Sequence, residues 1–461
     1  MTQVFGRYKT IHFVGIGGTG MSGIAEVLSN LSFHVTGSDL SHSDYTKRLE
    51  FLGIQVSYGH DAANVADADA VVVSTAIHKD NPEWQEAGRR NIPVIPRGEM
   101  LAELMRMKAG IAISGTHGKT TTTSIAASVL SQGGLDPTVI IGGIFSAYGS
   151  NTRLGGSKYL VAEADESDGS FLRLSPIYAI ITNIDEDHMN YYGTMDNLKG
   201  SFTEFANKVP FFGAAIVCLE DSRIKSIIPD IRRRVVTYGL SGHCDYQAED
   251  IHVSDKGYEF VVREKGQSLG SFLLRVPGRH NILNALSVIA LAREMELEED
   301  AIKEGLAAYS GTRRRSETVG LYRECRVISD YAHHPVEIEK TLGALREYYR
   351  PERIICVFQP HRYTRTQNQF ENFLFSFHQS DILRLLPIYS AGEAPIEKIS
   401  SDALVEGIRK SGHRDVELVN SADELTEDLK SNVRDGDLVV FLGAGTIDAL
   451  ARKFGREENS K

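Results

Sequence analysis

Residues 113–122 read Ile-Ser-Gly-Thr-His-Gly-Lys-Thr-Thr-Thr, set between the apolar run Ala109–Ile113 and the helix-like stretch Ser124–Leu130. A buried strand, a glycine turn and a helix start together aim backbone N–H groups and a positive helix end at one spot. A polyphosphate suits that spot. Gly115, Thr116, His117 and Gly118 would wrap it, with Thr121 on the first helical turn. Lys119 would reach phosphate oxygens, and the Thr120 hydroxyl is available to Mg²⁺. The general phosphate-loop pattern wants Gly at position 113, where this chain has Ile, so the loop is a shortened variant. A plain glycine turn would leave the Lys-Thr pair at the helix start unexplained.

A second glycine signature lies near the N-terminus. Thr10-Ile11-His12-Phe13-Val14 reads as a buried strand and runs into Gly15-Ile16-Gly17-Gly18-Thr19-Gly20. A helix follows, then the strand Phe33–Gly37, ending at Ser38-Asp39. Glycines at 15, 17 and 20, with an acid 24 positions after Gly15, match a dinucleotide fingerprint. Taken alone the motif points to NAD. Its physics, however, asks only for a diphosphate at a helix end and a ribose hydroxyl near an acid. A nucleotide-diphosphate sugar meets both requirements.

At 461 residues the chain is too long for one core. A formal net charge of −11 argues against a nucleic-acid partner. Cys218, Cys244, Cys325 and Cys356 have no paired spacing, so neither a zinc site nor a disulfide framework is indicated. No leader-like start and no membrane-length apolar run is visible, which points to the cytoplasm without membrane insertion.

Strands alternate with helical stretches in three α/β blocks, 1–108, 109–316 and 317–461. Alternation of this kind predicts parallel sheets with helices on both faces and ligands at the strand C-terminal ends. The first and third blocks read as Rossmann-like and the central one as a P-loop ATPase-like parallel sheet. A polar, alternating segment from about 235 to 276 has antiparallel character, and helices are expected over 282–293, 336–347, 368–379 and 400–410. The last six or seven residues look frayed.

Two strand ends carry the remaining chemistry. Tyr159–Ala162 runs into Glu163-Ala164-Asp165-Glu166-Ser167-Asp168, and Ile180–Thr182 into Asn183-Ile184-Asp185-Glu186-Asp187-His188. Carboxylates and an imidazole facing a phosphate loop point to a hard cation held by oxygen with one nitrogen helper. Mg²⁺ takes only one or two carboxylates, and the residues alone do not choose between Glu163 and Glu166.

Five motifs, in order, resemble the Mur ligases of peptidoglycan synthesis. They are Gly-Thr-His-Gly-Lys-Thr-Thr, Glu-Ala-Asp-Glu-Ser-Asp, Asn-Ile-Asp-Glu-Asp-His-Met, Pro-Gly-Arg-His-Asn-Ile-Leu-Asn-Ala and Asp-Tyr-Ala-His-His-Pro. The N-terminal Gly-Ile-Gly-Gly-Thr-Gly-Met-Ser-Gly and Gln359–Thr366 resemble the alanine-adding branch. The resemblance spans about residues 10–450. It implies ATP-dependent ligation of L-alanine to the lactyl carboxylate of UDP-N-acetylmuramate through an acyl phosphate, in a monomer or weak homodimer. A ligase that recycles a murein tripeptide onto the same sugar nucleotide is the alternative.

By the resemblance, Lys119 and Thr120 hold ATP phosphates and Mg²⁺, Glu163 is the magnesium glutamate, and His188 serves a second magnesium. His280, Asn281 and Asn284 match the adenine-side motif. Arg315, or its neighbour Arg314, matches the arginine that reaches the phosphates, and Asp330 an ATP-side residue. Tyr331, His333, Arg362 and Arg365 match the amino-acid pocket, with His333 the candidate base. Gly15, Gly17, Ser38, Asp39, Ser74, Thr75 and Arg97 match the UDP-sugar contacts. Several relatives carry a carbamylated lysine fifteen residues after the histidine; that position is Thr203 here, so none is expected.

Overall fold

The computed structural model describes residues 5–74, 76–145 and 150–456; Thr75 and the C-terminal 457–461 lie outside the described residues. The chain packs as two compact units. One comprises 1–250, 260–272 and 283–309, and the other 251–259, 273–282 and 310–461.

The first unit holds two sheets. The N-terminal one has five strands in the order Gln55–Tyr58, His34–Asp39, Thr10–Val14, Ala70–Val73, Val94–Pro96, all parallel. Its central strands are buried on both faces, which is why Phe13-Val14 and Ala70–Val73 read as continuous apolar runs rather than alternating ones. The register sets Val14 beside Ser38 and Val73, so the Gly15–Gly20 turn, Asp39 and Ser74 leave the sheet at one edge.

The larger sheet has a parallel heart in the order Val235–Gly239, Ala214–Cys218, Tyr178–Ile181, Ala109–Ser114, Tyr159–Glu163, Thr138–Phe145. The strand leading to the glycine loop thus lies between the two strands that end in the acidic runs. At one edge Ser150–Arg153 pairs antiparallel with Thr138–Phe145. At the other edge come Tyr246–Ser254, Gly257–Glu264 and Gln267–Leu274. Links of two residues join only antiparallel neighbours, and at one of them Lys265 and Gly266 take φ of 47° and 83°, as a tight hairpin requires. The last three strands of the polar segment are therefore antiparallel to one another, whereas Val235–Gly239 pairs parallel with Ala214–Cys218 and, at Tyr238 and Gly239, with Tyr246 and Gln247.

The second unit is built on six strands in the order Glu317–Tyr322, Cys325–Asp330, Leu438–Leu442, Ile354–Phe358, Ile382–Leu385, Val416–Leu418. All pairs are parallel except the first. Alternate residues serve opposite faces. Ile354, Cys356 and Phe358 pack with Leu342, Leu345 and Leu404, while Ile355 and Val357 pack with Leu425, Leu429 and Ile447.

One helix differs from the sequence expectation. The helix expected over 368–379 is two short pieces, Tyr363–Asn368 and Phe370–Phe373, followed by turns. Phe373 and Phe377 have helical spacing because both rings pack on Phe358, with centroids 5.6 and 5.1 Å away. The Ser376 hydroxyl donates to the Asn372 carbonyl, competing for the acceptor that a continuing helix would use.

All four cysteines are free; Cys218, Cys325 and Cys356 are buried and Cys244 half-buried. Among the described residues no helix is long and apolar enough to cross a membrane.

Candidate active site

In the first unit the phosphate-loop glycines sit where only glycine fits. Gly115 has φ +131° and Gly118 φ +86°. A Cβ on Gly115 would lie 2.1 Å from Thr182 Oγ1, and one on Gly118 2.8 Å from Asn284 Oδ1. The loop is laced to the next strand end. His117 N–H donates to Asn183 Oδ1 (2.9 Å), while Thr182 Oγ1 and Asn183 Nδ2 donate to the His117 carbonyl (2.6 and 2.9 Å). Helix Lys119–Gln132 begins without a side-chain cap, which leaves its first N–H groups for a ligand. Thr120 and Thr121 are buried on its first turn.

Opposite charges gather around this helix start. Lys119 Nζ donates to the Gly115 and Thr116 carbonyls (2.6 and 3.1 Å) and lies 2.9 and 2.8 Å from the two oxygens of Glu166. His188, at φ 56°, brings Nε2 to 3.8 Å from Glu166 Oε1. Burial pushes the Glu166 carboxyl up to about 7, against the pull of Lys119. Burial also opposes charge on Lys119, but the Glu166 and Asp165 carboxylates outweigh it, and the ammonium is held above its ordinary value. Glu163 accepts from Gly142 N–H (2.7 Å), and its charge acts on Lys119 as well. The two glutamates left open by the sequence are thus separated by environment. Glu166 is buried between cation and imidazole, and Glu163 is anchored at its strand end. Thr203 sends its hydroxyl to the Lys199 carbonyl within its own helix.

The N-terminal sheet forms a second turn in the same unit. Gly15 and Ile16 N–H groups donate to the Ser38 carbonyl (2.8 and 2.9 Å), and Gly17 N–H to Asp39 Oδ2 (2.8 Å). Ser74 Oγ lies 3.5 Å from where a Gly15 Cβ would stand. Arg97 approaches the next glycine, its Nη1 3.0 Å from a Cβ built on Gly20, and pairs with Asp165 Oδ2 at 3.2 Å. The Ser38 side chain lies on the inner side of the turn. It is fully buried and donates to Glu83 Oε2 (2.6 Å), so its hydroxyl holds the turn from behind.

The second unit assembles the remaining residues. Asp330, at the end of its strand, accepts from Ser316 N–H (2.6 Å) and Ala332 N–H (2.7 Å), and burial raises its carboxyl despite Arg315. Arg314 is bound by the Gly443 and Gly445 carbonyls (2.8 and 3.2 Å) and lies over the Tyr331 ring. The Arg315 guanidinium lies over the same ring, and carbonyl oxygens hold Arg314 of the two. His333 Nδ1 lies 2.9 Å from the Tyr331 carbonyl; a carbonyl only accepts, so Nδ1 carries the proton and Nε2 keeps its lone pair. Burial, with Arg365 and Arg315 nearby, lowers His333 to about 4 although Glu337 opposes. Arg365 Nη1 meets His361 Nδ1 at 3.2 Å, and Arg362, at φ 70°, heads the same short helix. Asn281 donates to the Pro277 carbonyl (2.6 Å), and the His280 ring folds over Gly278.

The sequence reading missed His361, Asn183 and Glu83. His361 adjoins the quoted arginines and Asn183 opens a quoted motif, so both had a local signal; Glu83 had none.

Comparison with known proteins places the chain in a class. The Mur ligase family catalytic domain matches residues 10–109, the Mur ligase middle domain 113–292, and the Mur ligase glutamate ligase domain 314–445. The chain belongs to the Mur ligase family. It is 51% identical over 444 residues to the UDP-N-acetylmuramate–L-alanine ligase of Geobacter sp. (strain M21), covering 96% of each chain. It is 52% identical to the ligase of the same name from Syntrophotalea carbinolica, covering 96% of this chain and 97% of that one. Among solved structures, the UDP-N-acetylmuramate–alanine ligase of Thermotoga maritima matches with a TM-score of 0.85 at 31% identity, over 99% of this chain and 100% of that one. A murein peptide ligase from Psychrobacter arcticus shares the fold, with a TM-score of 0.72 at 23% identity over 97% and 98% of the two chains.

Proposed function

We propose that this chain joins L-alanine to the lactyl carboxylate of UDP-N-acetylmuramate, converting ATP to ADP and phosphate, in cytoplasmic peptidoglycan precursor synthesis. The observation that carries the reading is the convergence of Lys119, Glu166 and His188 on one uncapped helix start, in a chain about half identical along its length to ligases of that name. Residues 1–108 would take the sugar nucleotide, 109–316 ATP, and 317–461 the amino acid, in a monomer or weak homodimer.

Amide formation from a carboxylate and an amine in water is uphill, so the carboxylate is first activated. A lactyl oxygen attacks the γ-phosphorus, the bond to the β,γ-bridging oxygen breaks, and ADP leaves. The alanine ammonium gives up one proton to become the amine that attacks the acyl carbon; phosphate then departs with the transferred oxygen, and the nitrogen loses a second proton as the amide forms. Lys119 and Arg315 offset the repulsion among the anions. Thr120 and Glu163 offer hard oxygen donors and His188 one nitrogen; these residues would hold Mg²⁺, one or two ions of which would supply further charge neutralisation when bound. Arg362 and Arg365 clamp the alanine carboxylate. The Nε2 lone pair of a neutral His333 faces no competing proton at pH 7, so it is free to accept from the amine.

Two measurements test this. Phosphate release should require UDP-N-acetylmuramate and L-alanine together, with the murein tripeptide inactive; release with the tripeptide alone would support the recycling alternative. Sugar nucleotide labelled with ¹⁸O in the lactyl carboxylate should pass one label to phosphate, and unlabelled phosphate would exclude the acyl-phosphate route.

A further inference from the structure

Behind the N-terminal glycine turn lies a buried polar cluster that none of the chemistry above uses. Its centre is Glu83, fully buried on helix Pro82–Arg89. Glu83 Oε2 accepts from Ser38 Oγ at 2.6 Å, and Oε1 accepts from Asn64 Nδ2 at 2.5 Å and from Asp61 N–H at 3.3 Å. Two imidazoles flank it: His60 Nδ1 at 3.4 Å and His12 Nε2 at 3.6 Å from Oε2. His12 is tied in turn to Thr36 Oγ1 at 2.8 Å. One carboxylate therefore joins the first strand, the end of the second, the segment after the third and a helix.

A buried carboxylate is costly unless its oxygens are satisfied. Burial is the largest influence on Glu83 and pushes its carboxyl up, but His12, Asn64 and Ser38 outweigh it and keep it ionised. Its donors are thereby fixed in direction. Ser38 gives its only hydroxyl proton to Glu83, so it can only accept from His60 Nδ1, 3.1 Å away. Both groups facing His60 Nδ1 are acceptors, and that nitrogen must carry the proton.

The consequence reaches the ligand side of the turn. With Ser38 held from behind, its carbonyl stays aimed at the Gly15 and Ile16 N–H groups, and Asp39 next to it keeps the Gly17 N–H. The geometry assigns Glu83 as a positioning residue of the sugar-nucleotide site, acting through Ser38 and His60 on the 15–20 turn. This inference rests on the reading of the first domain as the UDP-sugar domain.

The experiment has a wild-type arm and a variant arm. In wild-type enzyme at pH 8.5, ¹⁵N-detected imidazole spectra, assigned with His60→Gln, should show His60 as the Nδ1–H tautomer; an Nε2–H tautomer overturns the assignment. Glu83→Ala strands several buried donors, so the KM for UDP-N-acetylmuramate should rise about tenfold to hundredfold while kcat and the KM values for ATP and L-alanine hold. Glu83→Gln, which keeps the shape and one acceptor oxygen, should recover much of that loss. A KM for the sugar nucleotide unchanged in both folded variants, or a fall confined to kcat, overturns the proposal. Wild-type enzyme releasing no phosphate with UDP-N-acetylmuramate would instead sink the underlying reading, and the tautomer measurement would still judge the Glu83 cluster itself.

Discussion

The turn at Gly15–Gly20 and the loop at Gly115–Gly118 share one construction. Each follows a buried parallel strand, opens a helix with no side-chain cap, and gives early N–H groups to the end of the adjacent strand. They differ in what that strand end offers. The first turn meets the carboxylate of Asp39, the second the neutral amide of Asn183. They differ again in the source of positive charge: Lys119 belongs to its own loop, whereas Arg97 comes from a distant helix and is shared with Asp165. An acid beside the turn favours ribose hydroxyls and resists a dense cluster of phosphates. An amide with a lysine admits it. The same strand–glycine–helix grammar thus yields two turns of different charge tolerance.

Breaking the second loop should have the largest effect. Lys119→Ala should lower ATP-dependent phosphate release about a thousandfold, while calorimetric binding of UDP-N-acetylmuramate persists. Loss of both together would mean the two loops are not separate sites. Removing the borrowed cation, Arg97→Ala, should raise the KM for the sugar nucleotide about tenfold to hundredfold, the range of a lost charge-assisted hydrogen bond. An equal rise in the KM for ATP alone would reverse the assignment of the two turns. Arg362→Ala, which touches neither loop, should raise the KM for L-alanine about tenfold and leave both nucleotide constants in place.

A separate effect is one of pH on stability. Burial, joined by Arg365, lowers His333 and His361 to about 4 in the folded chain. In the unfolded chain they bind protons near the ordinary 6.5, so acid favours unfolding between about 6.5 and 4. Stability should hold at pH 7 and fall as pH drops through that window. His333→Asn and His361→Asn together should flatten the fall in denaturant titrations at pH 7, 6 and 5; an unaltered slope would mean other groups govern it.

What could be read from the sequence was local. The lysine-bearing loop, the acidic strand ends and the strand–helix alternation each occupy a few consecutive residues, and all lie where expected. Glu83 could not be read, because its partners at 12, 38, 60 and 64 meet only through sheet order. Sequence likewise gives the position of Ser38 but not the side its hydroxyl faces. The strand Glu317–Tyr322 and the helix Ala422–Asn432 escaped as well. The first is an edge hairpin closed by Arg323 and Glu324 at positive φ, without the glycine that usually marks such a turn. The second carries its apolar face on few residues, chiefly Leu425 and Leu429.

The four free cysteines carry a practical consequence. Burial raises every one of their thiols, Cys218 and Cys244 to about 11, and Cys325 and Cys356 upward for the same reason. The thiolate is the reactive form. At neutral pH these sulfurs are therefore held largely as thiols, the less reactive form toward alkylating reagents and peroxide.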